Sequence, residues 1–487
     1  MFEPAEADAA ALIDALRAAT RAEAVAAADR LAVIATIVAH HCDDEDDVIA
    51  HAAIDGWEYA TAEVSAACGL SKQAASGQMR IAVALRDRLP KVGALLAAGE
   101  ISAKIAAAIT WRTRLVIHDE PLALIDAALA GIAAHLGTLS QKGLEDAIDV
   151  WIEKFDPSAV HGTRCAARSR YLEFGGADDL AGTVGVYGRL FATDAAALRA
   201  RLTAIAATVC DDDPRTTPQR MADALGVLGA DPDAERLACL CGNPDCPAAQ
   251  KDPRSTAVTV YVLTDSAPPS APPRDPDLHG DGSRRPGPVA TVASPGVLIG
   301  GGVLPGPLLT ELVATGARIT PLADPADLPA VPGYRPTTKI ATWVRIRDLV
   351  CVFPGCNRSA QHCDLDHSVP WPAGSTHPGN LSATCRTHHL LKTFGGWTKH
   401  QHPDGSHTWT SPTGHAYTTV PLSRILFPDR PLDTPAPPPA PVSETTDRGL
   451  AMPQRRRTRA ETRAARIHAE RRLNQHIIDE NAEPPPF

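Results

Sequence analysis

Through residue 150 the apolar positions recur at helical spacing, in series such as Ile81, Leu85, Leu89 and Ile101, Ile105, Ile109. That spacing puts them on one face of each segment and predicts a run of amphipathic helices. Within this block, residues 62–76 read as two helices joined by a bend, with Gly69 at the turn and Ser71 capping the second helix. Such a pair is either a helix-turn-helix that reads DNA or a hairpin used for packing. The second helix offers only Lys72 and Arg80 as cations, which favours packing.

Beyond residue 170 the pattern changes. Residues 170–190 alternate as a hairpin, and 194–209 return to helical spacing. The sequence TAVTVYVLT at 256–264 is the clearest strand. A Pro/Gly/Ser-rich insertion at 266–288 reads as a flexible loop, and 307–315 as one short helix. A second Pro-rich linker, 431–441, leads into a tail with eight arginines between Arg455 and Arg472. This tail is expected to be disordered or a solvated helix, with nucleic acid as one use of its charge. The expected fold class is α+β: a mainly α N-terminal body with a few β-strands, plus a small C-terminal module. The expected units are 1–336 (with the insertion at 266–288), 337–428, and a linker and tail over 429–487.

Composition sharpens this picture. The chain has 487 residues, enough for several folded units, and only 4% aromatics. Its apolar content is carried by alanine, which favours helix over sandwich or barrel. The first 16 residues hold four acids and no Lys or Arg, unlike a signal peptide. The uncharged stretch 286–310 is broken by five prolines, so it cannot span a bilayer as a helix. A cytoplasmic protein without a membrane segment is expected. Charge is uneven: 337–430 hold nine Lys+Arg against five Asp+Glu and half of the 18 histidines, whereas 1–336 carry a net −15. A basic module on an acidic body is the asymmetry expected where phosphates are met.

The cysteines cluster as well. Cys42, Cys68, Cys165 and Cys210 are scattered and read as ordinary buried thiols. Cys239, Cys241 and Cys246 form a tight group that could bind zinc, except that no fourth ligand lies nearby in sequence. In the basic module, Cys351 and Cys356 enclose a Phe-Pro-Gly turn, and Cys385 and His388 follow after 28 intervening residues. Three thiolates and one imidazole make a closed tetrahedral zinc site, structural rather than catalytic. Cys363 fits that spacing less well.

Between these pairs lies a second set: Asp366, His367, Asn380 and His389. An imidazole with a reference pKa of ~6.5 can take a proton from water near neutral pH. One carboxylate with one imidazole can hold a divalent ion and leave positions open for water and phosphate. Adjacent Asp and His on an extended segment point to opposite sides, so Asp366 can face metal while His367 faces the nucleophile. Asn380 would fix the loop presenting His367. Arg386 and Lys392 are candidate phosphate contacts, Arg345 and Arg347 weaker ones. His377 is a spare ligand or an exposed loop residue, and Trp397, Trp409 and Tyr417 are expected to pack a terminal hairpin.

The order Asp-His, then Asn after 12 residues, then His after eight more, interleaved with zinc-binding pairs, resembles the HNH endonucleases. The resemblance implies a ββα-metal fold. It also implies His367 as general base, Asp366 and His389 as ligands of a catalytic divalent cation (Mg²⁺ or Mn²⁺), and Asn380 as the orienting residue. It further implies DNA as partner and no small-molecule organic cofactor. A departure is His388 in place of a fourth zinc cysteine. The elements RLACLCGNPDC, GGGVLPGPLL, GYRP, RDLVCVFPGC, HHLLKTFGGW and WTSPTG further resemble the actinobacterial 13E12-type repeat family. In that family a helical domain of unknown function (number 222) precedes an HNH domain. A metal-dependent DNA endonuclease is the leading expectation; a zinc-stabilised nucleic-acid-binding or regulatory protein that does not cut is the alternative.

Overall fold

The computed structural model describes residues 8–160, 170–175, 183–250, 252–254, 262–264, 278–281, 294–298, 302–314, 322–429, 432–439 and 450–482. Most of the expected insertion, the first part of the strand expected at 256–264, Cys165 and the ends of the second linker lie outside them.

The predicted helical run is present as α1 (Ala9–Cys42), α2 (Asp47–His51), α3 (Gly56–Cys68), α4 (Lys72–Asp87), α5 (Pro90–Ala97), α6 (Ala103–Arg112), α7 (Asp119–Leu136) and α8 (Gln141–Phe155). Their apolar faces meet in one core, where Leu31, Ile34 and Val38 of α1 join Met79 of α4, Ile125 and Leu129 of α7, and Ile148 and Ile152 of α8. Each such side chain contributes about 1.5–3 kcal/mol by leaving water. Local signals set the helix ends. Gly69 takes the left-handed conformation (φ +62°) after α3, and Ser71 accepts a hydrogen bond from the Ala74 amide to start α4.

A two-stranded antiparallel hairpin, β1 (Tyr171–Phe174) and β2 (Val186–Arg189), follows at the expected place. Two helices, α9 (Ala192–Ala206) and α10 (Thr217–Ala230), then pack around Ile205, Ala224, Val227 and Leu237. Three short antiparallel strands, β3 (Val262–Thr264), β4 (Gly296–Leu298) and β5 (Gly302–Leu304), precede α11 (Gly306–Ala314).

The C-terminal module opens with α12 (Thr338–Asp348). It continues through the antiparallel pair β6 (Asp364–His367) and β7 (Leu381–Thr384) into α13 (Arg386–Phe394). A meander, β8 (Thr398–Gln401), β9 (His407–Thr410) and β10 (Ala416–Thr419), and the short α14 (Leu422–Leu426) complete it. Trp397 and Trp409 are buried, as expected of packing residues, and Trp409 donates to the Val352 carbonyl at 2.9 Å.

This module is not held at arm's length from the helical body. Ile54, Ala62 and Ala66 share a core with Phe353, Trp397 and Trp409. The Cys351–Cys356 turn presses on the α3–α4 bend, where a Cβ on Gly355 (φ +72°) would meet the Leu70 carbonyl oxygen at 2.2 Å. Lys72 pairs with Glu58 at 2.8 Å and donates to Thr387 of α13 at 3.1 Å. The α3–α4 pair therefore packs between elements, and two of its three cations, Lys72 and Arg86, are spoken for.

The tail departs from expectation in one respect. It is helical, as α15 (Arg459–Ala482), but it docks rather than standing in solvent. Ile467 packs against the N-terminal core, Arg471 pairs with Asp156, and Asn474 donates to the carbonyls of Ser158 and Val160. Arg455 and Arg459 both bind Asp55. The acidic body recruits the basic tail, an attraction that charge segregation along the sequence hides when each part is read alone. No helix among the described residues is long and apolar enough to cross a membrane.

Candidate metal centres and the polar site beside them

Cys351, Cys356, Cys385 and His388 converge so that one ligand atom from each lies within 4.8 Å of the others. The tight Phe-Pro-Gly turn brings Cys356 beside Cys351, with the Cys356 amide donating to the Phe353 carbonyl at 3.0 Å. Cys385 caps α13, and His388 lies one turn on. The His388 ring stacks on Phe353 at 3.8 Å and turns Nδ1 toward the sulfurs of Cys385 (3.2 Å) and Cys351 (3.5 Å). The Cys385 amide donates to Cys351 Sγ at 3.2 Å. Burial pushes the Cys351 thiol well up, while hydrogen bonds from Cys351 and Cys356 pull Cys385 far down. Two buried sulfurs, the half-buried sulfur of Cys356 and a buried imidazole nitrogen facing one point are a donor set that suits zinc. Cys363 stands aside, its thiol donating to the Ser359 carbonyl at 3.3 Å.

A second cluster corrects the sequence reading. Cys239, Cys241 and Cys246 do have a fourth partner: Cys210, just past the end of α9, whose sulfur lies 3.4 Å from that of Cys239. Cys210 was expected to be an isolated thiol because 28 residues separate it from Cys239, and α10 closes that gap in space. Cys210 donates toward the neighbouring sulfurs, Cys239 first, and holding that proton pushes it up to about 12, while the Asn243 amide lowers Cys241. Both clusters could hold a metal ion such as zinc.

Next to the first cluster, β6 and β7 run antiparallel with Asp366 opposite Ser382 and His367 opposite Leu381. Asp366 and His367 do point to opposite sides. His367, only 3% exposed, stacks beside Tyr334 at 5.2 Å, and its Nε2 lies 2.8 Å from Thr376 Oγ1. The Thr376 hydroxyl spends its one proton on the Gly333 carbonyl at 2.7 Å, so it accepts from His367 Nε2–H. That fixes the tautomer and leaves the Nδ1 lone pair without a hydrogen-bond partner among the described residues. Burial lowers the His367 pKa to about 4, so the ring is neutral at pH 7.

Asn380 does what its type suggested. Its Nδ2 donates to the carbonyls of Val369 (3.0 Å) and Ser375 (2.9 Å), and its Oδ1 accepts from the Val369 amide at 2.8 Å. The loop after His367 is thereby tied down at both ends.

Asp366 faces His389, with Oδ1 and Nε2 3.4 Å apart. Two residues passed over in the sequence complete this side. Asp364 accepts from His389 Nδ1 at 2.9 Å, and Lys399, fully buried, donates to Asp366 Oδ2 at 2.8 Å. The period-two spacing in Asp364-Leu365-Asp366 was the available signal for Asp364, since alternate residues share a strand face. Nothing short-range marks Lys399. Lys392 also binds Asp366, at 2.9 Å, and the His367 carbonyl. Burial alone would raise Asp366, but the ammoniums of Lys399 and Lys392 outweigh it and hold the carboxyl below its ordinary range.

Other expectations divide. Arg386 remains exposed and pairs with Asp364 at 3.2 Å. Arg347 is not a surface cation: it is 1% exposed, pairs with Asp348 and donates to the carbonyls of Pro378 and Leu381. Arg345 Nε is likewise buried. His377 is buried and accepts from the Gly379 amide at 3.0 Å, so it closes a turn rather than serving as a spare ligand.

Relatives of this chain are close in sequence but carry no assigned activity. It is 49% identical to the uncharacterized protein Rv3776 of Mycobacterium tuberculosis (strain H37Rv), over 99% of this chain and 92% of that one. It is 48% identical to the uncharacterized protein Rv2100 of the same strain, over 98% and 90%. No solved structure matches. The family described as "Domain of unknown function (DUF222)" matches residues 18–348, about two thirds of the sequence, and the chain belongs to that family.

Proposed function

We propose that residues 337–428 are an HNH-type, metal-dependent endonuclease module that hydrolyses DNA phosphodiester bonds, with structural zinc at Cys351, Cys356, Cys385 and His388. The observation that carries the reading is the state of His367. It is a neutral imidazole whose Nε2 proton is committed to Thr376, so Nδ1 is left to accept a proton from water. Asn380 holds the adjoining loop and so keeps that nitrogen in place.

The donors on the other face suit a divalent cation. Asp364 accepts the hydrogen bond of His389 Nδ1–H, which leaves Nε2 as a lone pair facing the Asp366 carboxylate. A carboxylate behind a histidine is the usual outer support of a metal ligand. When bound there, Mg²⁺ or Mn²⁺ would neutralise charge on the phosphate and the departing oxygen. Lys392, at the rim, and exposed Arg386 are the cations nearest an incoming phosphate.

One observation favours the alternative, a zinc-stabilised nucleic-acid-binding or regulatory protein that does not cut: both oxygens of Asp366 are engaged by lysines. Supercoiled-plasmid assays with Mg²⁺, Mn²⁺ or no added divalent ion decide between them. Wild type should nick or linearise plasmid only with added ion. His367→Ala should be slower by about 10²–10⁴-fold at unchanged zinc content, the range for loss of a general base. Normal cleavage by His367→Ala overturns the base; a wild type that binds plasmid but never cuts it leaves the alternative.

A further inference from the structure

A large cavity lies away from the proposed nuclease site. It is a cleft of about 1110 Å³ between α4, the end of α6 and the C-terminal helix α15. Two helical stripes face each other across it: Arg80 and Ala84 on α4 with Arg88 at its C-cap, and Arg459, Arg463 and Arg466 on α15. Each stripe has the three-to-four-residue spacing that aligns side chains on one helix face.

Its charge is unbalanced. Eight arginines line the cleft and no lysine does, against the four acids Glu45, Asp55, Glu58 and Glu470. Those acids are occupied: Asp55 and Glu58 bind Arg455 and Arg459, Glu470 pairs with Arg114 at 3.6 Å, and Glu45 accepts from the Gly56 amide. Arg80, Arg457, Arg463 and Arg466 have no carboxylate partner among the described residues. Arg88 spends its guanidinium on the carbonyls of Thr113 and Val116. Burial, and then the nearby Arg463, Arg459 and Arg466, push Arg80 below its ordinary value, which is the mark of crowded positive charge.

We propose that this cleft binds a phosphate-rich polyanion, with Arg80, Arg457, Arg463 and Arg466 taking the phosphates. Guanidinium groups stay charged under mutual repulsion and grip phosphate oxygens in pairs, which explains arginine without lysine. Trp57 and the partly exposed Trp111 also line the cleft and offer apolar surface beside the phosphates. The ligand is either a nucleic-acid strand or a small polyphosphate such as a nucleoside triphosphate. The site does not depend on whether residues 337–428 cut.

The test is binding by the full chain without added divalent ion. A fluorescein-labelled 20-nucleotide single strand is followed by anisotropy at several salt concentrations, and inorganic triphosphate serves as competitor and as a separate calorimetric ligand. Arg463→Gln/Arg466→Gln should weaken binding at least tenfold and reduce the slope of log K against log salt by roughly 1.4, about 0.7 per phosphate contact on a single strand. Arg80→Gln, on a different helix, should weaken it in the same direction, which guards against misfolding of α15. Arg472→Gln, exposed on the same helix and outside the cleft, should change little. Triphosphate binding without strand binding keeps the site and assigns it to the small ligand. Wild-type-like binding by the double variant, an equal loss in Arg472→Gln, or no binding of either anion overturns the proposal. Plasmid cleavage is read separately, so a chain that binds here but never cuts fails only the nuclease reading.

Discussion

Cys385→Ala should cost the chain the folded state of residues 351–419 while leaving the N-terminal helical body intact. Structural zinc sites contribute about 10–16 kcal/mol of apparent binding energy, comparable to or larger than the whole stability of a typical domain. The packing here gives that energy its target. His388, one ligand, stacks on Phe353, and Phe353 touches Trp397 and Trp409, so the ligands and the apolar core are the same few residues. Loss of Cys385 removes a ligand at the N-cap position of α13. Zinc per chain should fall by one, and fluorescence of the buried tryptophans should shift to longer wavelength. Limited proteolysis should cut within 351–419 while a helical fragment survives. Cys363→Ala is the control, because its thiol lies close by and donates to the Ser359 carbonyl but is not one of the four converging ligands. Full zinc content in Cys385→Ala, or loss of zinc in Cys363→Ala, would reassign the ligand set.

The legible part of this protein was the part written in short-range code. Helical spacing marked α1 to α8, Gly69 and Ser71 marked one corner, and paired Cys and His within a few residues marked the first metal cluster. The roles proposed for Asp366, His367 and Asn380 likewise rest on residue type and strand alternation. Features resting on distant pairings were hidden. Cys210 meets Cys239 only because α10 folds back. Thr376 fixes the tautomer of His367 from within the loop that Asn380 ties down, and Lys399 reaches Asp366 from a different sheet. Charge misled in one direction. Arg347 and the eight tail arginines were candidates for phosphate, yet Arg347 is buried on Asp348, and three of the eight, Arg455, Arg459 and Arg471, are held by Asp55, Glu58 and Asp156. A sequence lists charges but not their partners, and only the folded chain distinguishes a spent arginine from one left over.

The second metal cluster hangs on one such spent arginine, and Arg215→Leu should disable it. Arg215, with no exposed side-chain surface, donates to both oxygens of Asp213 (2.9 and 2.7 Å), to Asp223 of α10 at 2.7 Å, and to the Ala238 carbonyl at 2.7 Å. Asp213 in turn accepts from the Leu240 amide at 2.9 Å, and its own amide donates to the Cys210 carbonyl at 3.2 Å. One guanidinium therefore registers the segment after α9, which carries Cys210, against the loop carrying Cys239 and Cys241. Burial would raise the Asp213 carboxyl, but the hydrogen bonds from Arg215 outweigh it and hold the pKa at about 2. Because the folded value is depressed, the pair's contribution is complete above the unfolded value of ~3.9 and is lost as pH falls through about 2. At pH 7 the leucine variant would leave a buried carboxylate with Arg220, at 3.6 Å, as its one cation among the described residues, and the Ala238 carbonyl without its donor. Removing one partner of a buried ion pair costs about 3–5 kcal/mol. In urea at pH 7 the variant should lose that much from the unit containing α9 and α10, and zinc per chain should drop by one while the Cys385 site keeps its ion. Arg215→Lys, which keeps the charge but cannot fork, should fall between the two. Unchanged zinc in Arg215→Leu would mean that the four thiols are gathered without this network.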